Sequence, residues 1–287
     1  MGEALISNSQ NMKSTYKFSF IIPTAIILLA ISFFGCNPDE FQKLPERNWR
    51  LTWSDDFDGA AGTLPDATKW TYDIGTGQDG WGNQELQSYT NSPANVSLDG
   101  EGNLVITAIR NGNSFTSARV KTQGLFEQRY GRFEARMKTP YGPGLWPAFW
   151  MLGSNIETVN WPQCGEIDIM ELRGQEPHII HGSLHGPGYS AGNAITKGYA
   201  LSKARFDNEF HIFAVEWYED KIDFFVDDFL YQRINREDVP GEWVYNTPFF
   251  LILNVAVGGT YVGFPTDGTP FPQKMTVDYV RVYQATN

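Results

Sequence analysis

From Arg47 onward, apolar and polar residues alternate with a period of two along almost the whole chain, as strands with one buried face require. The run Arg132-Phe-Glu-Ala-Arg-Met-Lys138 alternates without a slip and sets Phe133, Ala135 and Met137 on one side. Phe213, Val215 and Trp217 repeat the device. Ile222, Phe224 and Val226 follow after a Glu219-Asp220 turn, which predicts a hairpin. Further strands are predicted over Leu104–Ile109, Phe249–Val255 and Val277–Tyr283, with Gly, Pro, Asn and Asp punctuating between them. Helical periodicity is weak, and only Asn208–Phe213 suggests a short opening turn of helix. Many strands without intervening helices predict an all-β sandwich or barrel in one domain, not a βαβ architecture.

That architecture disposes of one tempting motif. Gly75-Thr-Gly-Gln-Asp-Gly80 matches the dinucleotide-binding spacing, but Trp81-Gly-Asn-Gln follows where an amphipathic helix should begin. A phosphate would lack its helix N-terminus there, so the match reads as chance in a glycine-rich loop. Neither a G-x-S-x-G nucleophile elbow nor a phosphate-cradling G-x-x-x-x-G-K-[ST] run is present.

The amino-terminal part follows a different pattern. Phe18–Phe34 is a 17-residue stretch, mostly apolar, preceded by Lys13 and Lys17 and followed by Gly35-Cys36. A positive flank, a short apolar core and a small residue before the break make a secretory signal, with Met12 an alternative start. Ser32-Phe-Phe-Gly-Cys36 resembles a bacterial lipobox, which would make Cys36 the lipidated first residue. An uncleaved membrane anchor is the alternative, although 17 residues fall short of the roughly 20 that span a bilayer and Pro23 weakens the helix. The expected organisation is a signal over 1–35, a short tether over 36–49 and one domain over 50–287, exported and lipid-anchored to the bacterial outer membrane on its surface or periplasmic side. The acidic Asn37-Pro-Asp-Glu40 is similar to the surface-export tract of some Gram-negative lipoproteins.

Composition narrows the partners. With 22 Lys+Arg against 33 Asp+Glu the net charge is −11, which argues against nucleic acid or an anionic membrane surface as the main partner and leaves the lipid as the only membrane contact. Only two cysteines exist, so no disulfide framework can be read. If Cys36 is lipidated, Cys164 is a lone thiol in an apolar strand, expected to be buried and structural. Aromatic residues make up 15% of the chain, enough to ask what they serve beyond the core.

The densest chemistry is in Trp161-Pro-Gln-Cys-Gly-Glu166-Ile-Asp168-Ile-Met-Glu171-Leu. Glu166 and Asp168 share one strand face while Ile167 and Ile169 share the other. Glu171 falls at an odd offset and would enter the core of a regular strand; a bulge near Met170 would return it to the face of the other acids. Three acids without an intervening cation repel one another, which a purely structural outer face has no reason to tolerate. Trp146, Trp150 and Trp161 lie just upstream, with Trp81 further back in the chain, and acids beside exposed rings suit a sugar. Cleaving a glycosidic bond needs one carboxyl protonated and a second ionised, a difference that mutual repulsion can supply.

These residues carry a resemblance. Gly165-Glu-Ile-Asp-Ile-Met-Glu171 is similar to the active-site strand of glycoside hydrolase family 16 in its laminarinase-like form. The likeness continues through Trp53-Ser-Asp-Asp-Phe, Trp81-Gly-Asn-Gln-Glu-Leu-Gln, Tyr130-Gly-Arg-Phe-Glu-Ala-Arg, Gly144–Gly153, Leu253-Asn-Val-Ala-Val-Gly-Gly259 and Phe271–Tyr283, in order over roughly 50–285. It implies a β-jelly-roll sandwich of two antiparallel sheets with a concave substrate cleft, and a retaining mechanism. By resemblance Glu166 is the nucleophile, Glu171 the general acid and base, and Asp168 the helper between them. Asn83, Trp146, Trp150, Trp161 and His185 correspond to cleft positions that contact substrate. No cofactor is implied for catalysis. Many relatives hold a structural Ca²⁺, for which Asp278 matches best, with Asp56 and the Gly102 carbonyl aligned less securely; Asp278 also reads as a plain charged edge residue. His178, His181 and His185 lack a fourth convergent ligand, which argues against zinc.

The expected activity is an endo-β-1,3-glucanase acting as a monomer on laminarin-type β-glucan. The alternatives are mixed-linkage β-1,3-1,4-glucan, sulfated galactans, transglycosylation, and a non-catalytic glycan-binding lipoprotein on the same sandwich. The last would have no need of all three acids.

Overall fold

The structure is a computed structural model and describes Gln42 and residues 48–286. The signal, Cys36 and nearly all of the tether lie outside the described residues. Seventeen strands follow one another: β1 Asn48–Asp55, β2 Thr71–Asp73, β3 Gln87–Tyr89, β4 Val96–Leu98, β5 Leu104–Asn111, β6 Ser114–Ser117, β7 Arg119–Lys121, β8 Gly131–Lys138 and β9 Leu145–Gly153. After them come β10 Glu166–Leu172, β11 Ile179–His185, β12 Ile195–Ala200, β13 His211–Trp217, β14 Lys221–Val226, β15 Phe229–Asn235, β16 Phe249–Val257 and β17 Gln273–Thr286. All the strands expected from the alternation are present, and the last is the longest, because β1 and β8 pair along most of it while β5 pairs with its start.

The strands divide between a ten-stranded sheet, β15-β14-β13-β8-β17-β5-β6-β3 with β1 on β17 and β4 on β5, and a seven-stranded sheet, β12-β11-β10-β9-β16-β7-β2. Together they form the β-jelly-roll sandwich that the resemblance implied. Pairing is antiparallel throughout the described strands except for β3 with β6. The inward rows are those read from the sequence: Phe133, Ala135 and Met137 of β8 meet Phe213, Val215 and Trp217 of β13, all fully buried. Ile167, Ile169, Met170 and Leu172 of β10 and Leu251, Leu253 and Val255 of β16 close the core from the other sheet. Trp217 couples the two layers, its ring 5.1 Å from Phe249 of β16 and 5.9 Å from Phe133, with Nε1 donating to the Tyr245 carbonyl at 3.1 Å.

Two local expectations fare differently. The glycine-rich loop leads into a five-residue turn over Gly80–Gln84 with left-handed φ at Gly80, Trp81, Gly82 and Gln84, so no helix N-terminus faces the glycines. No helical turn opens at Asn208. One bond from the Asn208 amide to the Arg205 carbonyl at 3.1 Å makes a turn, which never propagates because His211 at once pairs with Met137 of β8. Strand β9 escaped the alternation reading because Trp-Pro-Ala-Phe-Trp breaks it, yet β9 lies in the interior of its sheet, between β10 and β16.

Gly182 shows how tightly the layers approach beneath the acids. A methyl group there would stand 2.2 Å from the Tyr231 hydroxyl and 2.6 Å from the Phe224 ring. Removing the cross-layer anchor should be costly: Trp217→Ala is expected to lower unfolding free energy by about 3–5 kcal/mol, read from the midpoint of a denaturant titration.

Candidate active site

The outer face of the seven-stranded sheet carries a cleft of about 760 Å³. Its floor follows from strand alternation. Residues Trp146, Ala148, Trp150 and Leu152 of β9, Asn254 and Ala256 of β16, and Ser183 and His185 of β11 line it, while the intervening residues of those strands face the core. Strand β10 departs from that rule at one place. Asp168 pairs with Trp150 and Met170 with the adjacent Phe149, and on the other side Asp168 pairs with Ser183 and Glu171 with His181. One extra residue therefore sits between Asp168 and Glu171. Ile169 and Met170 both point into the core, and Glu166, Asp168 and Glu171 all reach the cleft.

Each acid has its own partners. Trp161 Nε1 donates to Glu166 Oε2 at 2.8 Å, and Trp146 Nε1 donates to Glu171 Oε1 at 2.9 Å. Thr196 donates to Ser183 Oγ at 2.9 Å, and Ser183 donates on to Glu171 Oε2 at 3.5 Å. His185 Nε2 lies 3.0 Å from Asp168 Oδ2 and 3.8 Å from Glu166 Oε1. The Ala191 amide donates to His185 Nδ1 at 3.1 Å, which leaves Nε2 to carry the ring proton on the side of the acids. Trp161 is 41% exposed on the rim, whereas Asp168 is only 3% exposed on the floor. Every cleft residue expected from the sequence is thus brought together: Asn83, Trp146, Trp150, Trp161 and His185 line the same cavity as the three acids.

Burial sets the electrostatics. Desolvation, with the charge of Asp168 added, pushes Glu166 up to about 8. Desolvation and the charge of Glu166 push Glu171 up to about 7, against the pull of His185, Trp146 and Ser183. Asp168 is raised well above the usual carboxylate range by burial and by Glu171. The three titrate as one set, holding protons to neutral pH, so the set can present an acid and an anion side by side. Cys164 is buried and its thiol is pushed up to about 11, chiefly by desolvation, consistent with a structural rather than a nucleophilic cysteine.

Among the described residues, Glu166, Asp168 and His185 are the one group of three whose side chains come close enough to share an ion. His185 Nε2 stands 3.0 Å from Asp168 Oδ2, which has no hydrogen-bond partner among the described residues. His178 and His181 do not join that group. The oxygen set implied for Ca²⁺ is only half assembled. A methyl group on Gly102 would stand 3.9 Å from the Asp56 carbonyl oxygen, so those two segments do meet. Arg281 takes Asp56 Oδ1 at 2.7 Å, however, and Arg136 pairs with Asp278. Each carboxylate has one oxygen held by a guanidinium, so an ion at this place would compete with Arg281 for Asp56 and with Arg136 for Asp278.

Sequence reasoning overlooked several residues of the cleft. Arg119, Glu85, Ser183, Asn254 and Tyr261 all line it. Asn254 had a usable signal, since it is the one polar residue in the nine-residue strand Phe249–Val257. Arg119 and Glu85 had none, as a charged residue on a short strand or loop reads as solvated.

A β-jelly-roll sandwich with a carboxylate floor and tryptophan walls is the architecture of a glycoside hydrolase. The chain belongs to glycosyl hydrolases family 16, whose model matches residues 81–281. It is similar to a beta-glucanase of Rhodothermus marinus, 40% identical over 270 residues that cover 90% of this chain and 92% of that one. The X-ray structure of an endo-beta-1,3-glucanase from Pyrococcus furiosus is 46% identical with a TM-score of 0.80, covering 85% of this chain and 97% of that one. The laminarinase catalytic domain of Thermotoga maritima MSB8 is 44% identical with a TM-score of 0.78, over 84% and 100% respectively.

The raised carboxyls make a stability prediction. Glu171 holds its proton in the folded state to about 7 against a usual 4.5, so the native state binds more protons between these values and stability falls as pH rises through them. Glu171→Gln removes a charge that burial disfavours. The variant is expected to melt about 2–8 °C above wild type at pH 8, equivalent to roughly 1–2 kcal/mol, with the gain gone at pH 4. Paired melting curves at the two pH values check it.

Proposed function

We propose that the protein is a retaining endo-β-1,3-glucanase that cleaves internal bonds of laminarin-type glucans. The observation that carries this reading is the extra residue in β10, which sets Glu166, Asp168 and Glu171 on one face at the floor of an open cleft. Membership of the family and the 40–46% identity to a beta-glucanase and to endo-β-1,3-glucanases support the substrate. Relatives named for mixed-linkage or non-specific activity fall below that range, an endo-1,3-1,4-beta-glycanase of Rhizobium meliloti at 32% and a non-specific endo-beta-1,3(4)-glucanase at 37%.

In this reading the reactive form of the set has Glu166 ionised and Glu171 protonated, the reverse of the order that burial gives them at about 8 and about 7. In that form the Glu166 carboxylate attacks the anomeric carbon while Glu171 gives its proton to the leaving glycosidic oxygen. The bond to the departing glucan breaks and a glycosyl ester forms on Glu166. Esterification removes the charge of Glu166, one of the causes that hold the Glu171 proton. Glu171 then becomes the stronger acid, loses its proton and serves as the base that deprotonates water for the second displacement. Asp168 and the His185 Nε2 proton stand beside Glu166, where they adjust its charge between the two steps. The Trp161 and Trp146 ring N–H groups orient the two reacting carboxyls.

Three outcomes test this. Glu166→Gln and Glu171→Gln should each lower laminarin turnover by at least about 10²–10⁴-fold while laminarin binding persists, measured by reducing-sugar release and by calorimetry. Wild-type turnover surviving in the double variant would rule out the mechanism and favour a glycan-binding protein. Release of sugar from laminarin should exceed that from lichenan, with none from agarose; a lichenan preference would move the assignment to mixed-linkage glucan.

The export route is part of the same reading. A lipid-anchored, monomeric enzyme on the outer membrane is proposed from the lipobox-like Ser32–Cys36 and the positive flank before it. Metabolic labelling with a palmitate analogue should mark the full-length chain, and Cys36→Ala should abolish the label and release the protein from membranes.

A further inference from the structure

A buried charge beneath one arm of the cleft takes no part in the chemistry above. Arg119 of β7 is 7% exposed, and its guanidinium carbon lies 4.5 Å from the Trp81 ring centroid, 4.7 Å from that of Tyr89 and 5.5 Å from that of Trp150. Two carboxylates balance it, Asp73 Oδ2 at 3.5 Å and Glu85 Oε2 at 3.7 Å. Two of the three rings, Trp81 and Trp150, face the cleft.

The two tryptophans are held in different ways. Trp150 Nε1 donates to Asn254 Oδ1 at 2.8 Å, Asn254 Nδ2 donates to the Tyr89 hydroxyl at 3.2 Å, and that hydroxyl donates to Glu85 Oε2 at 3.3 Å. A chain of hydrogen bonds therefore ties Trp150 to the carboxylate that Arg119 faces. Trp81 has no such tie. Its Nε1 is buried without a hydrogen-bond partner, and its backbone sits at φ 56° in a loop that is left-handed on both sides of it. Its ring rests on Gly77, where a methyl group would come within 2.6 Å, and on Arg119. A guanidinium is planar, permanently charged and weakly hydrated, so it can stack on several rings at once while its edge meets carboxylates; an ammonium cannot.

We propose that Arg119 is a positioning residue that fixes the Trp81 and Trp150 rings as one stacking wall for the sugar units on the β7 side of the scissile bond. It acts through the rings, by cation–π contact with both, and the Asp73 and Glu85 carboxylates keep its charge in place. The wall is then rigid before substrate arrives, and its contribution is to binding of the glucan rather than to bond cleavage. Asn83, which donates to Glu85 Oε1 at 3.3 Å, is held by the same frame.

This inference rests on the glucan reading of the cleft. Wild-type turnover of laminarin, measured in parallel, tests that reading by itself, and variant-to-wild-type ratios test the inference. Arg119→Lys keeps a cation opposite Asp73 and Glu85 but loses the plane. It should melt within about 3 °C of wild type, raise KM for laminarin about 10-fold and leave kcat within about threefold. Arg119→Met should show the same rise in KM with a much lower melting temperature, because the buried Glu85 carboxylate loses its cation, although Asp73 keeps Lys121. Trp81→Ala should raise KM as much as the double variant Trp81→Ala/Arg119→Lys, since both substitutions disable one wall. A wild-type KM in Arg119→Lys, a fall in kcat matching the rise in KM, a melting temperature of Arg119→Lys as low as that of Arg119→Met, or KM effects that multiply in the double variant would each overturn the proposal.

Discussion

A strand can show only alternate residues to one side, and the candidate site depends on how β10 departs from that rule. Glu166 and Asp168 obey it; Glu171, five positions after Glu166, cannot. One extra residue between Asp168 and Glu171, set against both neighbouring strands, restores Glu171 to the cleft and sends Ile169 and Met170 together into the core. The irregularity is affordable because β10 lies inside the sheet, where β9 and β11 grip it on either side and the buried pair of apolar side chains fixes its register.

Crowding three carboxyls on that face has a consequence for charge. Each is raised chiefly by loss of water, and each raises a neighbour, so the set carries fewer charges at neutral pH than three isolated acids would. The surrounding donors do not cancel this. They distinguish the members, with Trp161 on Glu166, Trp146 and Ser183 on Glu171, and His185 across Asp168 and Glu166. The Ala191 amide, six residues away, occupies Nδ1 of His185 and leaves Nε2 on the side of the acids. Stability is given up at the floor of the cleft and recovered in the core, where Trp217 and Phe249 join the layers.

The cleft walls obey a second logic. The aromatic rings that a sugar would stack against line the cleft and are not held by packing alone. Trp150 is anchored by Asn254 and Trp146 by Glu171, so hydrogen bonds at the ring nitrogen set their angle. Trp81 has no bond at its nitrogen, and Gly77 with the stacked guanidinium of Arg119 holds its ring instead. Buried ions are costly in a sandwich this apolar, and Asp73, Glu85 and Tyr89 surround Arg119 for that reason.

By itself the sequence determined the strands of the core and the face that each acid occupies. Both follow from periodicity: Phe133, Ala135 and Met137 alternate without interruption, and the misfit of Glu171 with that period announced the bulge before any fold was known. It also supplied the likeness that named the family. Only the tertiary structure decided which strands became neighbours and what lay beneath the rings. Strand β9 went unread because Pro147 and its flanking tryptophans hide its alternation, although it pairs with β10 along the row of carboxylates. Arg119 and Glu85 lie 34 positions apart and meet only because β7 and the loop after Gly80 close on the same end of the sheet. Asp56 and Asp278 were matched to a cation by position, and in the folded chain an arginine stands on one carboxylate oxygen of each. Local pattern reports which way a side chain faces; which charge stands opposite is a property of contacts between distant segments, and no period in the chain encodes it.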